Sequence, residues 1–391
     1  SEPAGVTQPP EPRASPPPGF HRILHRYMAY QLASFDLLTP EAALQAVESA
    51  YGLSLDGTVS TYPSYVNRVY GVRTDEGVDY VAKFYRPGRW SPEAVVEEHT
   101  FLEDCAEAEI PVVEPIQDAD GDTLCTLEVA GESRTAEFQF ALFPKRGGRG
   151  FDAETDEQWF RLGSIVARCH LAGQLREAHH RPICTPTEWT APFVNELLDE
   201  GVVHPDFTEE LRVLTDELIP LMAPHFRSVP FHRIHGDCHR GNLLDRPGEG
   251  LLMIDFDDMM FGPAVQDIWL LLPGHAADCR RELTMLLEGY ETFLDFPRKS
   301  LMLIEPLRLM RMIHFLAWQA RQRHDYWFLR EFPDWGTKQF WIREIEDLKM
   351  QANIVRGELQ EAAALFLLFG VVNFILLGSY KYRCVLLECK F

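Results

Sequence analysis

One polar segment, Ile234 to Asp258, constrains this chain more than any other, and it reads IHGDCHRGNLLDRPGEGLLMIDFDD. Two short apolar runs, around Leu243 and Met253, alternate in it with glycine, charged and amide residues. Apolar runs of this length, bounded by glycine and polar residues, are typical of strands rather than helices. The segment therefore predicts a strand-loop-strand insert within the second half of the chain.

The polar residues of this segment have a specific spacing. His235, Asp237 and Asn242 reproduce the pattern H-x-D-x-x-x-x-N of kinase catalytic loops, and Asp255 follows where those enzymes have a metal-binding aspartate. A hydroxyl nucleophile needs an acceptor for its proton, which suits Asp237. Crowded phosphate oxygens need a cation with oxygen ligands, which suits Asn242 and Asp255. The pattern predicts ATP-dependent, Mg²⁺-dependent phosphotransfer with Asp237 and Asp255 as catalytic residues, whereas His235 is expected to brace the loop.

A lysine and a glutamate farther upstream fit the same chemistry. Lys83 lies in the sequence VAKF, inside a predicted strand, and Glu97 and Glu98 follow on a predicted helix. In kinases a strand lysine contacts the α- and β-phosphates while a helix glutamate holds it. We expect Lys83 and Glu98 to contribute to ATP binding, with Glu98 preferred because Phe101 and Leu102 then pack one turn later.

No glycine-rich phosphate loop of a standard kind is present, since neither G-x-G-x-x-G nor G-x-x-x-x-G-K-[ST] occurs. A Walker-type ATPase is therefore not expected. We expect the loop from Thr61 to Asn67 to approach the phosphates instead, through Ser64 and backbone N–H groups.

The pattern along the chain predicts an α+β, protein-kinase-like bilobal fold. A small antiparallel-sheet N-lobe is expected over residues 37–143, including a hairpin of Tyr65 to Arg73 with Asp79 to Tyr85. A hinge is expected over 144–150, where the sequence PKRGGRG breaks regular structure. A large, mainly helical C-lobe carrying the catalytic and metal loops is expected over 151–349.

The ends of the chain differ in composition from the rest. Residues 1–19 are rich in proline and are predicted to be a disordered tail. The C-terminal extension, 350–391, contains the apolar run AAALFLLFGVVNFILLG at 362–378, which is at the lower limit for a membrane span. Three interpretations stay open for this run: a membrane tail anchor, a helix packed against the protein, or sequence foreign to the rest of the chain.

Charge and cysteine content limit the partners and the compartment. The formal net charge of -22 argues against nucleic acid as a partner, because phosphate contacts need a basic surface. The eight cysteines show no CxxC pair and no zinc-binding spacing, and no secretory signal precedes them. A cytoplasmic protein is expected.

Several of these segments together resemble a known family, the aminoglycoside phosphotransferase and choline kinase-like group, and within it the bacterial stress response kinases of the serine/threonine type. The likeness covers residues 37–349. Its most specific pieces are SYVNRVYGV from Ser64, VAKFYRPGRWS from Val81, EEHTFL from Glu97, IHGDCHRGN from Ile234 and IDFDDMMFGPAVQDIW from Ile254.

The resemblance implies a serine/threonine protein kinase with Ser64 near ATP and with Asp267 as the helix aspartate that braces the catalytic loop. The chain has DFD at Asp255 where conventional protein kinases have DFG, and the family resembled commonly lacks that glycine and the usual activation segment. A kinase of small alcohols such as aminoglycosides, choline or homoserine stays an alternative, since only the acceptor pocket would differ. An inactive nucleotide-binding module is the third hypothesis.

Overall fold

The computed structural model describes residues 35–360, apart from positions 63, 65, 133 and 324–325. The proline-rich tail predicted at 1–19 and the apolar run at 362–378 lie outside the described residues. The chain divides into two compact units. The first combines the described part of Ser1–Pro92 with Gln117–Leu142, and the second combines Glu93–Ile116 with the described part of Phe143–Phe391.

The first unit is a sheet with one helix. Helix α1, Pro40–Tyr51, begins at Thr39, whose side chain accepts the Ala42 N–H at 3.1 Å, and ends at Gly52 in the left-handed conformation. The five strands lie in the order β1-β2-β3-β5-β4, and β1 with β2, β2 with β3 and β4 with β5 are antiparallel. Their bounds are β1 Leu55–Tyr62, β2 Arg68–Thr74, β3 Asp79–Phe84, β4 Cys125–Ala130 and β5 Thr135–Pro144.

Alternation along β3 sets which side chains enter the core of this unit. Ala82 and Phe84 are fully buried, and the Phe84 ring stacks on Phe140 of β5 with ring centroids 4.9 Å apart. Lys83, between them, is directed to the opposite face and is half-buried. The sheet therefore presents the lysine on the face away from its aromatic core.

The second unit is mainly helical. Helix α2, Pro92–Glu107, begins at the boundary between the units, and most of its residues belong to the second. The other helices are α3 Asp156–Gly173, α4 Ala191–Asp199, α5 Pro205–Phe226, α6 Val265–Trp269, α7 Arg280–Tyr290, α8 Ile304–Gln322, α9 Tyr326–Glu331 and α10 over 338–360. Short strands are β6 Arg149–Gly150, β7 His232–Ile234, β8 Leu243–Arg246, β9 Gly250–Met253 and β10 Met260–Gly262.

The helical structure between Glu196 and Leu221 is interrupted. Helix α4 ends at Asp199 and α5 begins after His204, whose side chain accepts the Asp206 N–H. Pro205 at the first position of α5 explains the break, since the residue before a proline is restricted to non-helical conformations. Within the expected hinge, Arg149–Gly150 pairs with β8, and the hinge itself stays a prediction.

Across the described part of the chain, no helix combines the length and the apolar character that a membrane crossing requires.

Helices α3 and α7 pack backbone to backbone through two glycines. A Cβ atom added to Gly163 would lie 1.8 Å from the Leu286 carbonyl oxygen, and one added to Gly289 would lie 1.9 Å from the Phe160 carbonyl oxygen. The Ser164 hydroxyl donates to the Gly289 carbonyl at 3.1 Å, across the same contact. Because the obstacles are backbone atoms, no side-chain rotation could relieve a clash.

This close contact yields a stability prediction. Gly163→Ala should lower the free energy of unfolding by about 3 kcal/mol, because the added methyl group forces α3 and α7 apart. The matched control is Gly357→Ala, at an exposed position of α10 where an added Cβ meets no atom within 4 Å. That change should raise stability by up to about 1 kcal/mol through helix propensity. Urea denaturation measures both, and equal midpoints for wild type and Gly163→Ala would contradict the packing described.

Candidate active site

Two loops of the second unit, which follow β7 and β9, approach each other at Gly236. Strand β7 pairs with β10, so that Ile234 lies opposite Met260 and the loop after β7 begins beside the one that precedes β10. Gly236 has φ 83°, and a Cβ there would lie 2.1 Å from the Asp258 carbonyl oxygen. Only glycine fits this position, both for its conformation and for the approach of the second loop.

A buried carboxylate holds the first loop. Asp267 of α6 accepts the backbone N–H of His235 at 2.8 Å and that of Gly236 at 2.9 Å. His170 of α3 adds a third contact, with its Nε2 3.0 Å from the carboxylate. Burial by itself raises the pKa of Asp267, but the hydrogen bonds from His170 and Gly236 outweigh it and hold the pKa below its usual value. The carboxylate is therefore ionised at neutral pH.

The imidazole of His235 links the two loops. Its Nε2 lies 2.9 Å from the Ile254 carbonyl and donates to it, which leaves Nδ1 to accept the Asp237 N–H at 3.3 Å. The ring also packs on Phe256, with centroids 4.4 Å apart. His235 is fully buried, so its contacts are those of a residue that positions the loops.

Asn242 connects the same loops from the other side. The side-chain Nδ2 of Asn242 donates to the backbone carbonyl of Asp237 at 3.0 Å. The backbone carbonyl of Asn242 accepts the Ile254 N–H at 3.0 Å. Because Nδ2 is engaged, the side chain has Oδ1 as the atom that can ligate a cation. Asn242 and Asp255, the residue after Ile254, are thereby placed on adjoining segments.

Asp255 has a left-handed backbone, with φ 63° and ψ 64°. It is one of two non-glycine residues with positive φ in the described part of the chain. Aspartate tolerates this conformation better than most residues, but the conformation still costs free energy and is commonly found at functional sites. The side chain is exposed, unlike those of Phe256 and Asp257 after it. The strained backbone thus directs one carboxylate outward from a buried turn.

Two basic side chains contact the carboxylate of Asp237. Arg311 of α8 places Nη2 2.8 Å from Oδ1, and His239 places Nε2 3.5 Å from Oδ2. His239 lies two residues after Asp237 and could have been noticed from sequence. Arg311 is brought to the site by a distant helix, and no sequence motif indicated it.

The two glutamates of α2 contact a loop that follows α3. Glu97 accepts the backbone N–H groups of His179 and His180 at 2.7 and 2.9 Å. Glu98 pairs with Arg181 at 2.9 Å, with both side chains buried, and Arg181 also donates to the Asp257 carbonyl at 2.9 Å. Glu98 is thus connected through Arg181 to the metal loop, and its predicted action on Lys83 stays a prediction.

Ser64 and Lys83 belong to the first unit. Ser64 Oγ accepts the Asn67 N–H at 3.1 Å, and Asn67 Oδ1 accepts the Arg86 N–H at 3.1 Å. These bonds tie the expected phosphate loop to the residues after β3. Lys83 lies opposite Val69 of β2, and its Nζ is 4.9 Å from the centre of the Tyr85 ring.

The donor set of the second unit suits a hard cation. The described residues contain no group of three or more His, Cys, Asp or Glu side chains arranged to hold a metal ion. Mg²⁺ does not require one in this kind of site, because it takes one or two carboxylates and fills its shell with water and phosphate oxygens. The exposed carboxylate of Asp255 and Oδ1 of Asn242 fit this requirement.

Comparison with known proteins identifies the family of this chain. The model of the phosphotransferase enzyme family matches residues 58–303. Stress response kinase A of Escherichia coli is 35% identical over 324 residues, which cover 83% of this chain and 95% of that protein. Serine/threonine protein kinase RdoA of Salmonella typhimurium is 33% identical over 323 residues, covering 82% and 95%.

Solved structures agree on the fold. Amicoumacin kinase hAmiN in complex with AMP-PNP, Ca²⁺ and Ami has a TM-score of 0.63 at 17% identity and covers 85% of this chain and 96% of its own. The microcompartment-associated aminopropanol kinase has a TM-score of 0.58 at 18% identity and covers 81% and 97%. The predicted protein-kinase-like α+β fold and the resemblance stated above are confirmed. The chain belongs to the phosphotransferase enzyme family and is an ATP-dependent kinase that phosphorylates a hydroxyl acceptor.

Proposed function

We propose that this kinase phosphorylates serine or threonine residues of proteins and requires Mg²⁺. The observation that carries the proposal is the 35% identity to stress response kinase A across 95% of that protein, together with a relative that is named a serine/threonine protein kinase. The kinase catalytic pattern of Asp237, Asn242 and Asp255 supports the same chemistry.

Asp237 is the proton acceptor in this proposal. The acceptor hydroxyl oxygen forms a bond to the γ-phosphorus, the bond from that phosphorus to the bridging oxygen breaks, and ADP leaves with the electron pair. The hydroxyl proton passes to the Asp237 carboxylate. Asn242 fixes the backbone beside this residue through its bond to the Asp237 carbonyl. Asp267 fixes the preceding two residues, so the carboxylate stands on a loop with little freedom.

Asp255 and Asn242 are the proposed ligands of Mg²⁺, which neutralises phosphate charge when it is bound. The left-handed backbone of Asp255 supports this assignment, because it turns one carboxylate outward while the next two residues stay buried.

Three residues are proposed to act on ATP. Ser64 and the backbone of its loop contact phosphate oxygens, and Lys83 contributes a positive charge from β3. Glu98 is proposed to contribute by orienting Lys83. Its carboxylate is almost fully buried and already pairs with Arg181, so it is held in one position.

A cytoplasmic location completes the proposal. The described cysteines Cys105, Cys125, Cys169, Cys184, Cys238 and Cys279 are all free and buried, which suits a reducing compartment.

The proton-acceptor role predicts the behaviour of one isosteric variant. Asp237→Asn should lower turnover by roughly 10² or more and leave MgATP affinity nearly unchanged, because the amide cannot take up the hydroxyl proton. Steady-state kinetics and calorimetric titration with MgATP measure the two quantities. A folded Asp237→Asn protein with wild-type turnover would remove Asp237 from this role.

The metal-ligand role predicts a defect in binding rather than in chemistry alone. Asp255→Ala should abolish the Mg²⁺-dependent part of ATP binding, because the phosphate charges then lack their counterion. Calorimetry with ATP, in Mg²⁺ and in EDTA, shows whether the two isotherms coincide for the variant. Asp245→Ala is the matched control, since Asp245 lies on β8, outside the two loops. Mg²⁺-enhanced binding in Asp255→Ala would contradict the assignment.

The acceptor class is tested by direct competition between substrates. A chain with a net charge of -22 should favour basic or neutral protein segments over acidic ones, and rising ionic strength should suppress transfer to a basic protein. Radiolabelled ATP is supplied with a basic protein, an acidic protein, choline, homoserine and an aminoglycoside in parallel. Rapid transfer to one of the small alcohols, with none to protein, would establish the small-molecule kinase instead. Intact MgATP binding without transfer to anything would indicate an inactive nucleotide-binding module.

A further inference from the structure

The proposed proton acceptor is already engaged by a cation. Arg311 Nη2 lies 2.8 Å from Asp237 Oδ1, so the two side chains form an ion pair, although Oδ1 is buried and accepts no hydrogen bond of good geometry from the described residues. On the other carboxylate oxygen, His239 Nε2 lies 3.5 Å away, while its Nδ1 accepts the Gly241 N–H at 3.0 Å. That bond makes Nε2 the protonated nitrogen of the neutral ring. Each oxygen of the Asp237 carboxylate therefore has one basic side chain within ion-pair distance.

Arg311 is the accessible member of the ion pair, and the helix that carries it is fixed. The Arg311 side chain is 38% exposed, whereas that of Asp237 is 17% exposed. On α8, Met310 and Ile313 are buried in the core, and the ring of His314 lies between Trp189 and Phe193, with centroids 3.6 and 4.8 Å away. The backbone under Arg311 therefore cannot shift easily, but its long side chain can leave Asp237 by rotation alone.

An ion pair with one partly exposed member contributes little to stability, because solvent screens the guanidinium and side-chain entropy opposes the contact. Its position is more informative than its strength. A hydroxyl group that donates to Asp237 Oδ1 must replace the guanidinium or share the oxygen with it. A peptide can offer the guanidinium a backbone carbonyl in exchange, whereas a single water molecule offers no second acceptor.

We propose that Arg311 couples proton acceptance by Asp237 to acceptor binding: it occupies the carboxylate until a peptide acceptor arrives, then donates to a backbone carbonyl beside the target serine or threonine. The inference rests on the proposed function, because it assigns Asp237 as the proton acceptor. In the absence of a peptide, Arg311 suppresses hydrolysis of ATP by water.

The reaction that Arg311 suppresses is the hydrolysis of ATP by water. The oxygen of water would bond to the γ-phosphorus, the bond to the bridging oxygen would break, and ADP would leave with its electron pair. One proton of water would pass to the Asp237 carboxylate. The Arg311 guanidinium, with Nη2 2.8 Å from Oδ1, occupies the position that this water would need in order to donate to Oδ1.

The test measures release of inorganic phosphate from MgATP without any acceptor, which autophosphorylation does not contribute to. Arg311→Gln should raise this release about tenfold, by exposing a general base to water. The same variant should raise the KM for a peptide acceptor about tenfold and leave the KM for ATP unchanged. Arg311→Lys should lie between wild type and Arg311→Gln, because lysine keeps the charge without the planar fork.

A matched control lies directly after the same helix. Arg323, the residue that follows α8, pairs with Glu200 at 2.9 Å, so Arg323→Gln removes another arginine ion pair and should leave both readouts at wild-type values. Thermal melting checks that each variant is folded. If Arg311→Gln does not fold, Arg311→Met, which keeps an unbranched apolar stem, replaces it with the same expected result.

The Asp237→Asn variant distinguishes failure of the proposed Arg311 role from failure of the proposed catalytic role of Asp237. The rise in phosphate release should disappear in the double variant Asp237→Asn with Arg311→Gln. Unchanged or lower phosphate release in Arg311→Gln, with transfer abolished by Asp237→Asn, would overturn the role of Arg311 alone. Wild-type transfer by Asp237→Asn would overturn the proposed catalytic assignment itself.

Discussion

The buried carboxylate of Asp267 is the interaction on which the rest of the site depends. It lies in the core of the second unit and would be costly to ionise there without partners. Two of its partners are consecutive backbone N–H groups, those of His235 and Gly236, so the carboxylate determines the path of the catalytic loop directly. The third partner, His170, is itself fixed by the Tyr290 hydroxyl at 2.9 Å. Helices α3, α6 and α7 are thus connected through the Asp267 carboxylate and His170.

The loop after β7 is in turn bonded to the loop after β9, which contains Asp255. His235 bonds to the Ile254 carbonyl, Asn242 accepts the Ile254 N–H, and Gly236 admits the Asp258 backbone where any larger residue would clash. Three contacts along a short stretch make the two loops one structural unit. A change that displaces the proposed proton acceptor would therefore also displace the proposed metal ligands, and the two functions cannot be varied independently by moving the backbone.

Sequence patterns predicted those parts of the molecule that local chemistry determines. The hairpin of β2 and β3, with its turn after Thr74, follows from strand-forming residues around a polar, glycine-containing turn. The loop residues follow from their fixed spacing. Arg311, His170 and Arg181 were not predicted, because each reaches the site from a separate element and only tertiary packing brings it there. A single arginine within a helix carries no local signal that distinguishes a site residue from a solvated one.

Arg181 also fixes the position of α2, which requires no contact with an activation loop. Conventional protein kinases place the corresponding helix by ordering an activation loop. Here Arg181 joins the buried carboxylate of Glu98 to the backbone of the metal loop, and Glu97 caps two further backbone N–H groups. Breaking a buried pair of this kind leaves an uncompensated charge, which costs about 3–5 kcal/mol. These contacts therefore fix α2 to the loop after β9 through the fold itself.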